Sequence, residues 1–384
     1  MKGSAMNSTV GPRVLIDATA VPENRGGVGR YVDQLVPALD EAGADLVVAC
    51  QPRDVEHYGK LAPCGDVVAA PGAVVRRATR MLWEQRGLPA LAERVGADVI
   101  HSPHYTMPLR SEVPVVTTLH DATFFTHPDV HLPVKRAFFR SWTKASLRRA
   151  ARCVVPSYAT LDELARVTRG VHGQVDVAHH GVDPARFHVP DPSQIRALRA
   201  HLGLRSPRYV AFLGTIEPRK NVPFLIEGWR RAVADMPEPP ALVIAGGRGW
   251  DTRIDECVAA VPSNLEVLLP GYLPLDLLPA FLGGADVVAY PSMGEGFGLP
   301  VRAAMACGAP VLTTTSLALP EVGGDAVEYA DPTGAGIAEA LRGLLSSRER
   351  RAALSSAAVE RAATFSWTAC AEQHLRTYSR ALAA

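Results

Sequence analysis

The sequence predicts an α/β protein made of two doubly wound halves that face each other across a cleft. Three observations predict it. Short Val- and Ile-rich runs alternate with longer amphipathic segments along the whole chain. Many of the runs end in Gly, Pro, Ser or His, as parallel strands buried on both faces do. The series occurs twice, with a proline-rich, weakly periodic stretch, Gly181–Pro192 (GVDPARFHVPDP), between the two.

In the first half the runs Val14–Ile16, Leu46–Ala49, Asp98–Ile100, Val115–Leu119 and Cys153–Val155 are expected strands. In the second half the strands are Tyr209–Leu213, Leu242–Ala245, Leu265–Leu269, Asp286–Tyr290 and Pro310–Leu312. Helical segments lie between them. Val28 to Leu39 places Val28, Tyr31, Val32, Leu35, Val36 and Leu39 on one face, and Phe224 to Val233 is a second example. Repeated strand–helix–strand units give parallel sheets. Ligands in such folds bind beyond the carboxyl ends of the strands, so two facing sheets form a cleft that holds the active site. The expected organisation is residues 1–184, residues 185–367, and a last helix, 368–384, crossing back to the first half.

Composition narrows the function. The 384 residues carry 47% hydrophobic and 21% charged residues and a formal net charge of +1. That suits two ordinary domains and gives no global field for nucleic acid. The six cysteines, Cys50, Cys64, Cys153, Cys257, Cys307 and Cys370, are scattered without a CxxC pair, which points to reduced thiols in a cytoplasmic protein. The start, MKGSAMNSTVGP, is polar with no apolar core, so a flexible leader is expected there instead of a signal peptide.

Three loops carry chemistry. Gly26-Gly27-Val28-Gly29-Arg30-Tyr31 follows the first strand and opens a helix. Glycines admit an anion to backbone amides at a helix N-terminus, although a plain tight turn has the same residues. Gly214-Thr215-Ile216-Glu217-Pro218-Arg219-Lys220-Asn221 closes the strand Tyr209–Leu213. Two adjacent cations at a strand's carboxyl end suit a diphosphate, and equally an ordinary charged loop. The third loop is Pro291-Ser292-Met293-Gly294-Glu295-Gly296-Phe297-Gly298-Leu299-Pro300. It sets one carboxylate above a helix that starts near Pro300, where a proline costs no hydrogen bond.

Together these loops resemble the retaining glycosyltransferases called family 4, in particular their mannosyltransferase-like members. The resemblance covers nearly the whole chain. It rests on GGVGRY (26–31), HSPHYTMP (101–108), TLHDATFF (118–125), VVPS (154–157), GVDPARF (181–187), FLGTIEPRKN (212–221), LVIAGGRGW (242–250), the run from Gly271 to Pro300, MACGAPV (305–311), LPEVGGDA (319–326) and FSW (365–367). It implies the GT-B fold, two Rossmann-like domains, with the acceptor on the first and a nucleoside-diphosphate sugar on the second. It implies transfer of a hexose or deoxyhexose to a hydroxyl acceptor (saccharide, lipid-linked sugar or small metabolite), with retention and with neither metal nor cofactor. Arg219 and Lys220 would stabilise the leaving diphosphate, and Glu295 would accept hydrogen bonds from the sugar. His120 would stand near the reacting sugar and Asp121 would orient the acceptor. Gly26, Gly27, Gly29, Gly214, Thr215, Gly246, Tyr272, Gly296, Phe297, Gly298, Leu299 and Ala303 complete the expected donor site.

Two positions depart from the family. A second glutamate, which usually holds both ribose hydroxyls, is replaced by Ala303, with Arg302 beside it. Three explanations stand: a deoxyribonucleotide donor such as a dTDP-sugar, another group on the ribose (Arg302 or a water), or weakened activity. Thr215 stands where many relatives carry arginine. Rival functions are a non-catalytic nucleotide-sugar-binding subunit and a non-glycosidic coupling in the same cleft.

Other features point less directly. The pairs His101/His104, His127/His131 and His179/His180 have metal-compatible spacing, but loop or strand-end roles explain them. In residues 135–153, Arg136, Arg140, Lys144, Arg148 and Arg152 recur every four residues. That stripe is either a solvated face or a weak contact with the inner membrane surface.

Overall fold

The computed structural model describes residues 11–23, 25–168 and 174–383. The expected leader falls mostly on residues 1–10, outside the described residues. The first sheet contains β1 (Arg13–Asp17), β2 (Asp45–Cys50), β3 (Asp66–Ala69), β4 (Val99–Ser102), β5 (Val115–Thr118), β6 (Arg152–Val155) and β7 (Val175–Val177). Their order is β3-β2-β1-β4-β5-β6-β7. The second sheet contains β8 (Tyr209–Leu213), β9 (Ala241–Ala245), β10 (Val267–Gly271), β11 (Val287–Ala289), β12 (Val311–Thr313) and β13 (Glu328–Tyr329), in the order β10-β9-β8-β11-β12-β13. Every strand pairing is parallel. The order reverses beside β1 and again beside β8, and each reversal opens a crevice at the carboxyl ends.

Alternation along the strands shows why the runs are apolar throughout. Val14 and Ile16 of β1 enter one core cluster with Tyr31 and Leu35, whereas Leu15 enters the other with Leu88 and Ile100. In β2, Leu46 and Val48 join the first cluster, and Val47 and Ala49 the second. Both faces are therefore covered by helices, and no polar face is needed. The second half has one large cluster around Tyr209–Leu213, Trp229 and Phe281.

Three strands escape the apolar-run criterion. β3 and β13 are edge strands without a fully buried residue, and β7, at the other edge of the first sheet, spans three residues. β10 begins two residues later than its apolar run suggests. The basic stripe also needs correction. Its helix is Pro133–Arg149, and Arg152 lies on β6, paired with Asp176 at 2.6 Å. Arg140 donates from Nε to the Phe124 carbonyl at 2.6 Å, and Arg136 to that of Pro128 at 3.3 Å. Half of the stripe thus turns inward. Among the described residues no helix is long and apolar enough to cross a membrane.

The helix Trp367–Leu382 returns to the first sheet. Cys370, Ala371, Tyr378 and Ala381 complete its core. Its His374 Nε2 lies 2.8 Å from Tyr31 Oη, and Tyr378 Oη lies 2.9 Å from His101 Nδ1. The two passages between the halves run side by side. Val182 bridges Ser366 in parallel, and its N–H donates to the Phe365 carbonyl at 3.1 Å. A Cβ on Gly181 would fall on the Trp367 backbone, so only glycine fits this crossing.

Candidate active site

The expected residues gather at the carboxyl ends of both sheets. After β8 the chain makes a short 3-10 turn, Pro218–Lys220, closed by Asn221 at φ 61°. This turn buries Lys220 and aims both cations at Glu295, which is 7% exposed. Arg219 Nη1 lies 2.7 Å from Glu295 Oε2, and Lys220 Nζ 2.5 Å from Oε1. Ser292 Oγ donates to Oε1 at 2.7 Å and Tyr290 Oη at 3.0 Å. Lys220 also donates to Tyr290 Oη, and Arg219 to the Gly294 carbonyl.

The electrostatics follow from this packing. Burial alone would raise the Glu295 pKa, but Arg219 and Lys220 outweigh it and hold the carboxyl at about 2. Burial also works against the charge of Arg219, yet Glu295, Asp121 and Glu217 keep its pKa above the usual arginine value. Lys220 is lowered, by burial and then by Arg219. Glu217 lies 3.6 Å from Arg219. The result is a largely buried cluster of two cations and two carboxylates, where charge interactions are strong.

The glycines of the second half serve close approach. A Cβ on Gly246 would overlap the Gly214 carbonyl oxygen, and Gly246 has φ 132°. Thr215 is half-buried on the same loop. Gly298, at φ 93°, precedes the helix Leu299–Ala306, whose first turn has Pro300 and no side-chain cap. Its leading amides are therefore available to an anion. Ala303 is buried. Phe297 contributes its ring to the junction between the halves, 5.2 Å from His180 and 5.6 Å from Phe365. Tyr272 is exposed just beyond β10. On the other side of the cleft, Gly26 (φ 54°) opens the helix Gly26–Glu41 with Gly27 beside it in open space, while Gly29 packs against Arg25 and Val21.

The first half presents His120 to the loop that carries Glu295. A Cβ on Gly296 would overlap the His120 carbonyl oxygen and lie 3.0 Å from Asp121 Cβ. His120 Nε2 is 2.7 Å from the Pro103 carbonyl. A carbonyl only accepts, so Nε2 carries the proton and Nδ1 is an acceptor. Burial lowers the pKa of this imidazole and keeps it neutral. Asp121 Oδ1 accepts from Thr123 N at 3.1 Å and Thr123 Oγ1 at 2.8 Å.

Two families of known proteins match this chain in sequence: Glycosyltransferase Family 4 over residues 25–186, and Glycosyl transferases group 1 over residues 194–361. The D-inositol 3-phosphate glycosyltransferase of Mycolicibacterium vanbaalenii is 30% identical over 93% of this chain and 86% of its own length. The chain belongs to glycosyltransferase family 4. This transferase is also similar to the O-antigen chain mannosyltransferase B of Escherichia coli, 29% identical over 92% of this chain and 95% of that one. Its fold matches Anabaena HepE, solved in complex with UDP-glucose, with a TM-score of 0.74 at 17% identity over 95% of this chain and 99% of that one. The fold is thus GT-B, with two Rossmann-like sheets.

Several groups around this site lie outside the expected set of site residues. Tyr290 and Ser292 complete the shell of Glu295. Ser157, Thr160, His127 and Glu321 reach across the cleft, and His127 Cε1 would lie 3.4 Å from a Cβ on Gly294. Arg302, one candidate for the ribose, is committed elsewhere. It donates to the His180 carbonyl, with Phe297 and Trp367 5.5 and 5.9 Å from its guanidinium. Burial lowers its pKa to about 9. The paired histidines are also engaged separately: His101 with Thr118 and Tyr378, His131 with Thr123, and His179 with Glu321.

Proposed function

We propose that this enzyme transfers a hexose or deoxyhexose from a nucleoside-diphosphate sugar to a hydroxyl acceptor, with retention at the anomeric carbon. The observation that carries the reading is the buried Arg219–Lys220–Glu295 cluster facing neutral His120. As the glycosidic bond to the diphosphate breaks, negative charge grows on the leaving oxygen. Arg219, Lys220 and the amides of Phe297 to Leu299 are the groups that stabilise it, and they need little reorganisation to do so. In this reading the charge demand is met without a metal. Glu295, released from part of its pairing by the incoming phosphates, accepts hydrogen bonds from the sugar. His120 offers Nδ1 to a sugar hydroxyl, and Asp121 orients the acceptor. The acceptor proton passes to a leaving phosphate oxygen on the same face, which keeps the configuration.

Ala303 sharpens the donor. With no carboxylate there and Arg302 tied to His180, nothing at these two positions replaces the ribose contact, which favours a dTDP-sugar. The similarity to a mannosyltransferase favours a GDP-mannose-like donor instead. The second half is the donor side and the first half the acceptor side. We place the enzyme in the cytoplasm, with a weak contact to the inner membrane surface through Pro133–Arg149, where Val134 and Phe138 are exposed beside Lys135.

Thermal shift with UDP, GDP, ADP, dTDP and their common sugars, without added metal, tests the donor, because a ligand bound to the native state raises Tm. A shift with dTDP alone supports the deoxyribose reading, and Ala303→Glu should then move the preference toward ribonucleotides. A shift with GDP or UDP points to another ribose contact. No shift with any of them overturns the proposed donor class.

A further inference from the structure

The first half grips the loop that carries Glu295 at one point. Ser157 ends the segment after β6 and caps the helix Tyr158–Thr168: its Oγ accepts from Thr160 N at 3.0 Å. The same hydroxyl donates to the Gly296 carbonyl at 2.6 Å, and Thr160 Oγ1 lies 3.1 Å from that oxygen. Both side chains are fully buried, and their partner lies 136–139 residues away in the other half. The His120 carbonyl presses on the same glycine from the other side. Glu321, also from the second half, accepts from Tyr158 N at 2.9 Å and Ala159 N at 3.0 Å. The first-turn amides and the cap of this helix are therefore satisfied largely by the opposite half.

The consequence follows from chain geometry. The Gly296 peptide lies between Glu295 and the Phe297–Leu299 amides. Two hydrogen bonds to its carbonyl fix the plane of that peptide, and with it the direction of the groups on both sides. When the halves part, the carbonyl loses both hydroxyls, and the helix loses Glu321.

We propose that Ser157 and Thr160 are positioning residues for glycosyl transfer, aligning the Glu295 loop from across the cleft only while the halves are closed. This rests on the donor-site reading above. Neither residue touches donor or acceptor in this proposal. They act through Gly296, so their loss should lower turnover more than nucleotide affinity.

The test compares wild type, Ser157→Ala, Thr160→Val, the double variant and Thr160→Ser. Hydrogen–deuterium exchange needs no knowledge of the donor. In the double variant, amides 293–299 should exchange at least about 10-fold faster, with β8 and β9 unchanged. Release of sugar from GDP-mannose, UDP-glucose and dTDP-glucose gives turnover. For whichever donor wild type uses, kcat should fall about 10- to 100-fold with nucleotide Kd nearly constant. Thr160→Ser keeps the hydroxyl and should restore both readouts. Unchanged exchange at 293–299, or faster exchange with unchanged kcat, overturns the proposal, as does equal loss of kcat and nucleotide affinity. If the double variant does not fold, Ser157→Ala and Thr160→Val decide by the same criteria, with Thr160→Ser as the control that keeps the hydroxyl. A wild type that turns over no donor in the panel sinks the donor reading instead, and exchange still decides whether the grip exists.

Discussion

Glu295→Gln keeps the shape of the side chain and an acceptor oxygen but removes the negative charge between Arg219 and Lys220. The structure sets the scale of the loss. The carboxyl is held at about 2 against an ordinary 4.5, and at about 1.4 kcal/mol per unit this gap corresponds to roughly 3 kcal/mol of stability at neutral pH. Removing one side of a buried pair costs a similar roughly 3–5 kcal/mol, and all three side chains are 12% exposed or less. For a half of this size that means about 6–12 °C in Tm. The pH dependence has a definite sign. The folded-state value lies below the unfolded one, so the stabilisation is complete above about pH 4.5 and fades as pH falls toward about 2. Calorimetry of wild type and Glu295→Gln from pH 7 down to pH 3 should show a gap that narrows below about 4.5. Indistinguishable melting at pH 7, or a gap that ignores pH, would refute the argument that the two cations depend on this carboxylate.

Three further outcomes are expected. Lys220→Ala should leave melting of the first half unchanged and lower turnover about 100- to 1000-fold, as loss of a charge-stabilising donor does; near-normal turnover in a donor hydrolysis assay dismisses its phosphate role. Gly296→Ala places a methyl group on the His120 carbonyl, so small-angle scattering should show a larger radius and turnover should collapse; an unchanged profile means the closed arrangement is not the working one. Arg302→Met removes a charge that burial penalises, and denaturation should find the variant neutral or more stable by about 1–4 kcal/mol; a loss of more than about 2 kcal/mol would show that the contacts to His180, Phe297 and Trp367 outweigh desolvation.

Much of the fold is legible in the sequence because two-sided burial forces continuous apolar runs, as in β1, β2, β8 and β9. β3, β7 and β13 are not, because short edge strands need only partial burial and leave no run. The Arg152 error has a plain cause: a spacing of four continued by chance past the helix end at Arg149 into a strand. At the site, Arg219, Lys220 and Glu295 are legible because each sits in a glycine- or proline-marked loop after a strand. Ser157 and Glu321 fall in matched motifs, but the contacts that they and Thr160 make across the cleft are not legible. Their partners are 136–163 residues distant, and contacts of that span have no periodic signature. A local clue exists in Ser157-Tyr158-Ala159-Thr160, a capping pattern, but it says nothing of what the hydroxyl donates to. Arg302 is ambiguous in sequence for a similar reason, since a cation beside the expected ribose position can be read there but not what its guanidinium meets.

The return of the last helix changes the order in which the molecule can be completed. The second half, with its core from Leu198 to Phe365, is continuous in the chain. The first half is not, because Cys370, Ala371, Tyr378 and Ala381 close its core. During synthesis the half that leaves the ribosome first must wait, with one face of its sheet only partly covered, until nearly the whole chain has been made. A shortened C-terminus would therefore damage the opposite end of the molecule, and a complete first half would exist only in chains whose second half had already been translated.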